Sequence, residues 1–195
     1  MNVLAQEVTK EDELIGYIKH SMGISPVYYL IAVAIFLLIY KTWKKISVSL
    51  LITYCFLIFA TTVLARTTRE NVSYNLTPFR LFQIDEWWAK HDLMLQIRAN
   101  VLMFVPIGFL LMSAGKGIKG KFVRVLYIIV SIIAGVFFSV LIEYMQYRLH
   151  RGLCEADDVI HNTIGIAIGI VLYWIISRIY TELDNRDILP HRNNQ

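Results

Sequence analysis

The chain has 195 residues, 56% of them hydrophobic and 17% charged, with a mean hydropathy of +0.53. Soluble domains average about 45–50% apolar and about 25% charged residues, so this composition excludes an ordinary soluble domain and points to lipid. The net charge of +4 does not call for a nucleic-acid partner, because the basic residues fall in short runs between apolar segments, with no stripe interleaved with exposed aromatics.

In chain order, residues 1–23 read as an amphipathic segment, acidic through Glu7, Glu11, Asp12 and Glu13. Thr9-Lys-Glu-Asp12 is a helix-capping signal, and Leu14, Ile15 and Ile18 supply an apolar side. A short helix on the membrane surface is expected there. None of the apolar runs reads as a cleavable signal peptide, because the first begins only after this charged stretch. A helix needs about 20 mostly apolar residues to cross the hydrocarbon core. Residues 24–40, 46–65, 122–142 and 159–176 meet or approach that length, whereas 101–114 reaches it only with Arg98 and Asn100 in its first turns. The sequence thus predicts an all-α polytopic membrane protein with about five transmembrane helices in one bundle. They are placed at 24–40, 46–65, 95–114, 122–146 and 158–177, inside a domain spanning 24–178 and followed by a tail at 179–195.

Charge between the helices sets the expected orientation. Lys41, Lys44 and Lys45 separate the first two spans; Lys116, Lys119, Lys121 and Arg124 separate the third and fourth. The positive-inside rule puts both turns in the cytoplasm. The N-terminus, the 66–97 loop and the 143–158 connection then lie outside the cell membrane, and the tail with Arg178, Arg186 and Arg192 lies inside. Trp87-Trp88 reads as an interfacial anchor. Pro106 and Gly108 would bend or loosen the third span. Gly165-x-x-x-Gly169, widened by Ala167, allows another helix to approach closely and reads as internal packing. Asn71-Val-Ser and Asn75-Leu-Thr are formal sequons of little weight. Cys55 falls mid-span and Cys154 in an outer loop, so a disulfide between them is not expected.

The densest signal comes late. Glu143, Gln146, Arg151, Asp157, Asp158 and Asn162 fall within twenty residues. An ionisable group at the bilayer centre costs roughly 2.5–3.5 kcal/mol on translocon scales, and such groups mark functional sites or partnered bundle interiors. Glu143 and Gln146 share one helix face, as do Asp158, Asn162 and Gly165. The short connection between the two helices lets these faces meet near the outer end, where Arg98 and Asn100 should join them. The result would be a polar pocket opening outward or sideways into the outer leaflet.

Asn100-Val-Leu-Met-Phe-Val-Pro-Ile-Gly-Phe-Leu-Leu111, Ile142-Glu-Tyr-Met-Gln146 and Asp157-Asp-Val-Ile-His-Asn-Thr-Ile-Gly165 resemble, in order and spacing, the three blocks of the VanZ-like membrane proteins. Asn75-Leu-Thr-Pro-Phe79 is similar to the short motif that precedes them. The resemblance covers roughly residues 60–175. It implies that Asn75, Pro78, Asn100, Pro106, Glu143, Gln146, Asp158 and Asn162 are the family positions, with Arg151 matching an arginine often found before the last block. Leu153-Cys-Glu-Ala156 departs from the pattern, and neither His161 nor the first helix belongs to it. The founding member is associated with low-level resistance to teicoplanin, a lipid-tailed glycopeptide, so a related role is the expectation here.

Several readings stay open on the residues alone. Arg98 or Arg151 could pair with Glu143 or Asp158 simply to tie helices together. A ligand-binding site would comprise Arg98, Asn100, Glu143, Gln146, Arg151, Asp158 and Asn162. It would suit a polar lipid or lipid-linked wall precursor, with an arginine gripping phosphate. An enzyme would use Glu143 and Asp158 as acid and base with His161 as shuttle, but no nucleophile with an adjacent base is evident. The ligand types of Glu143, Asp157, Asp158 and His161 suit a divalent metal, yet no spacing demands one; neither metal nor cofactor is expected. The absence of a repeat or a broken-helix pair argues against an alternating-access transporter.

Overall fold

A computed structural model describes residues 26–43, 45–68 and 73–185. The expected N-terminal surface helix, Asn71 and the end of the tail lie outside the described residues. Among those described, five helices dominate: α1 (Pro26–Trp43), α2 (Ile46–Phe59), α3 (Trp87–Ala114), α4 (Lys121–Arg148) and α5 (Ala156–Asn185). This is the all-α polytopic bundle read from the sequence. Four helices are long and apolar enough to cross a membrane, α2 doing so together with a π-helical continuation over Ala60–Leu64. The fifth, α1, is apolar but shorter and packs chiefly on α2.

The third span is not short. It starts at Trp87 and runs 28 residues, about 42 Å at the usual helical rise. Its first turns carry exposed Lys90, His91 and Asp92, so hydropathy alone places the start too late. Pro106 sits within this helix and has no N–H for the Leu102 carbonyl. Next to that gap, the Tyr54 hydroxyl of α2 donates to the Met103 carbonyl at 3.0 Å.

The core lies between α2, α3, α4 and α5, where Ile58, Val63, Phe104, Ile107, Met112, Ile142, Ile166 and Ile170 cluster. Around it the helices turn apolar side chains outward; Leu30, Leu102, Phe122 and Phe137 are each more than two-thirds exposed. So broad an apolar exterior needs lipid to cover it. The tightest seam joins α3 and α5. A Cβ at Gly165 or Gly169 would meet the backbone carbonyl of Val101 or Val105, and one at Gly108 would meet that of Ile166. The small-residue motif is thus internal packing, with two backbones in near contact.

Helix direction divides the polar residues between two ends. Ser47 and Ser113 share a hydrogen bond of 2.7 Å beside the lysine-bearing turns. At the opposite end two short strands, β1 (Ser73–Asn75) and β2 (Leu153–Glu155), pair in parallel with Asn75 opposite Glu155. No local signal in the sequence marks this pairing. It draws the α2–α3 loop over the α4–α5 connection.

Candidate functional site

At the strand-bearing end, α2 finishes as a wide turn in which the Ala65 N–H donates to the Ala60 carbonyl at 2.8 Å. A helix end leaves its last carbonyls without intrahelical partners. Side chains from the α4 end fill them. Gln146 Nε2 donates to the Thr62 carbonyl at 3.1 Å. The Arg151 guanidinium donates to those of Val63 and Leu64 at 3.2 and 2.7 Å. Arg151 reaches back because the chain reverses at His150, which adopts φ +56°, and the Arg151 N–H closes that turn on the Gln146 carbonyl. Gly152 follows where the chain passes between Arg66 and Gln146, too closely for a Cβ.

Glu155 is the hub of the next layer. Its carboxylate pairs with Arg80 at 2.7 Å and accepts from Gln96 at 2.7 Å, while its backbone N–H donates to Glu143 Oε2 at 2.9 Å. Asp157, in the first turn of α5, accepts the backbone N–H groups of Phe79 and Arg80 at 2.6 and 2.8 Å. Phe79 adopts φ +60°, a left-handed conformation uncommon for a bulky residue, and it caps the short 3-10 turn Arg80–Phe82. One α5 residue therefore holds both amides of a loop 77–78 positions earlier.

Inside this frame stand Glu143 and Asp158. Glu143 is 4% exposed, and only its Oε2 takes part in a hydrogen bond among the described residues. Asp158 has one long contact, 3.4 Å from Gln96. Neither forms an ion pair among the described residues. Each feels the other's neighbourhood: Asp158 acts electrostatically on Glu143, and the Arg66 guanidinium acts on both. One turn deeper, Asn162 is 2% exposed; its Nδ2 donates to Ser139 Oγ at 2.8 Å, leaving its Oδ1 buried without a partner. Asn100 Nδ2 and His161 Nδ1 are likewise buried and unpartnered.

Of the residues singled out by sequence, Glu143, Gln146, Arg151, Asp158 and Asn162 come together on α4, α5 and their connection. Asn100 lies at the same level, between the Gln96–Asp158 contact and the close approach of Val101 to Gly165. Arg98 does not join them: it is exposed on the outer side of α3 and makes no hydrogen bond or ion pair among the described residues. The alternative in which Arg98 or Arg151 pairs with Glu143 or Asp158 to tie helices together is not seen among the described residues, where the α2 carbonyls hold Arg151. The residues that sequence reading missed are Arg66, Arg80, Gln96 and Glu155. Their partners lie far along the chain, and Glu155 had stood out only as a departure from the family pattern. Of the family positions in the loop, Asn75 accepts its own Thr77 N–H, and the Pro78 carbonyl accepts Gln83.

No three of His, Cys, Asp and Glu among the described residues converge as metal ligands. Both cysteines are free. Burial, then the Glu143, Asp158 and Glu155 carboxylates, push the Cys154 thiol above its ordinary range. The cluster thus offers two carboxylates lacking a bonded cation, a nearby guanidinium and unpaired amide groups at one end of the bundle. Comparison with curated proteins and with solved structures yields no match. The family described as VanZ/LLP1 matches residues 27–177, a span that takes in α1 as well as the polar cluster, and the chain belongs to that family.

Proposed function

We propose that the polar cluster binds the head group of a membrane lipid or lipid-linked wall precursor at the extracytoplasmic side, and that this binding lowers the action of lipid-tailed glycopeptides such as teicoplanin. The observation that carries the reading is the incomplete satisfaction of the cluster. Native interiors rarely leave buried polar atoms unpaired, and a buried donor or acceptor without a partner costs about 1–3 kcal/mol. Here Asn100, His161 and Asn162 each keep such an atom at the same end of the bundle as Glu143 and Asp158, and a polar ligand would supply the missing bonds. A role limited to tying helices together would favour saturated pairs. The enzyme reading, with Glu143 and Asp158 as acid and base, has less support: Ser139 Oγ accepts from Asn162, and among the described residues it makes no hydrogen bond to a general base.

The test is teicoplanin and vancomycin susceptibility of a sensitive Gram-positive host expressing wild type or Glu143→Gln, with membrane levels matched by immunoblot. Wild type is expected to raise tolerance to teicoplanin but not vancomycin, and the variant to lose the effect. In parallel, native mass spectrometry should find lipid retained by wild type and lost from the variant. Equal susceptibility of wild type and empty vector, with no retained lipid, would overturn the reading. A chemically altered lipid found only in wild-type cells would favour the enzyme.

A further inference from the structure

The charge and hydrogen-bond pattern of the cluster narrows what it can hold. Three guanidinium groups stand near it, and two are engaged: Arg80 pairs with Glu155, and Arg151 caps the end of α2. Asp157 is satisfied by two backbone amides. The carboxylates of Glu143 and Asp158 remain, and the exposed Arg66 acts electrostatically on both. Acceptors outnumber donors. Glu143 Oε1 and Asp158 Oδ2 take part in no hydrogen bond among the described residues. Asn162 Oδ1, directly below them between α4 and α5, is buried and empty-handed. Against these stand the buried donor Asn100 Nδ2 and His161 Nδ1, a ring nitrogen that donates or accepts according to its tautomer.

A phosphate would meet this surface badly, adding negative charge beside two carboxylates. A polyol would satisfy the acceptors but bring no counter-ion for an ionised carboxyl group, a charge that is costly to bury unpaired in a low-dielectric setting. A group that brings N–H donors together with positive charge does both tasks. We infer that the part of the ligand seated between Glu143, Asp158 and Asn162 is a primary ammonium, as borne by an amine-bearing lipid head group, with any attached phosphate lying outward toward Arg66. This rests on the head-group reading above and specifies its chemistry. Asp158 and Glu143 would be the ammonium-binding carboxylates, and Arg66 would set the balance against anionic head groups.

The full chain in detergent micelles would be titrated with three probes: short-chain phosphatidylethanolamine, short-chain phosphatidylglycerol and free ethanolamine, with binding read by native mass spectrometry. Phosphatidylethanolamine is expected to bind about tenfold or more tightly than phosphatidylglycerol, the scale set by one charge-assisted hydrogen bond. Asp158→Asn should abolish that preference, and Arg66→Gln should enlarge it. Misfolding cannot produce opposite changes in two variants, so the pair guards against a trivial loss. Equal binding of the two lipids, as carboxyl groups holding their own protons would give, or an unchanged preference in both variants, overturns the ammonium inference and leaves the head-group reading standing. Binding of none of the probes overturns the ammonium inference, and lipid still retained by the wild type would then uphold head-group binding of another chemistry. Free ethanolamine competing as well as the lipid would keep the ammonium site and overturn its lipid source.

Discussion

Both oxygens of Asp157 meet backbone N–H groups of the Phe79–Arg80 loop, whereas Asp158, next along the chain, has among the described residues only the long contact from Gln96. Acids in a first helical turn are favoured by the helix dipole, so that local rule does not tell the two apart. What separates them is a loop nearly eighty positions away, and no local signal encodes it. The consequence is testable through Cys154, whose strand pairs with Tyr74 under the same loop. Asp157→Asn would replace one acceptor with an NH2 group facing an N–H, at a cost of about 1–3 kcal/mol. In a Cys55→Ala background, maleimide should react slowly with Cys154 at neutral pH, and faster as pH rises, because the thiolate reacts and the raised pKa keeps the thiol protonated. Asp157→Asn should accelerate that reaction several-fold at fixed pH by loosening the loop. An unchanged rate would mean that the clamp does not hold the strands over Cys154.

The α3–α5 seam is the part of the architecture most legible in the sequence, since Gly165-x-x-x-Gly169 announces a close helix approach. The partner was not legible: nothing local says that Val101 and Val105 of α3 lie against those glycines. The start of α3 and the wide end of α2 were hidden for a related reason. Their polar residues are satisfied by tertiary contacts that hydropathy does not register. At Gly169 a side chain would collide with the Val105 carbonyl and the Phe109 N–H. These are backbone atoms, which cannot rotate away as a side chain can. Gly169→Leu should therefore destabilise the bundle by about 3 kcal/mol, the upper part of the range for overpacking, and lower its thermal midpoint in detergent. Gly117, by contrast, has φ +103° and open space around it. Gly117→Ala should cost about 1–2 kcal/mol, the left-handed penalty alone, and leave the α3–α5 packing intact. Equal midpoints for Gly169→Leu and wild type would show that α3 and α5 can separate without loss.

Taken whole, the molecule places its lysine-bearing turns at one end and its polar cluster at the other, and the charge rule predicts a cytoplasmic position for the lysine-bearing end. The helices also fit the hydrocarbon slab. At 18 residues, α1 is about 27 Å long, a little under the roughly 30 Å core; a crossing by α1 would make the number of spans odd. The polar first turns of α3 and the strand pair would then stand in the outer head-group region, with exposed Phe82, Trp87 and Trp88 at the depth where aromatic belts form. This orientation decides whether an extracellular glycopeptide and the cluster share a compartment. In a chain with Cys55 and Cys154 replaced by Ala, Phe82→Cys should react with a membrane-impermeant maleimide in intact cells. Ile118→Cys, in the turn between α3 and α4, should react only after the membrane is opened. The reverse pattern would turn the protein over and put Glu143 and Asp158 near the cytoplasmic face. A head group bound there could not shield an outer-leaflet target, so the proposed link to teicoplanin would fall while the ammonium chemistry of the cluster could still be tested on its own.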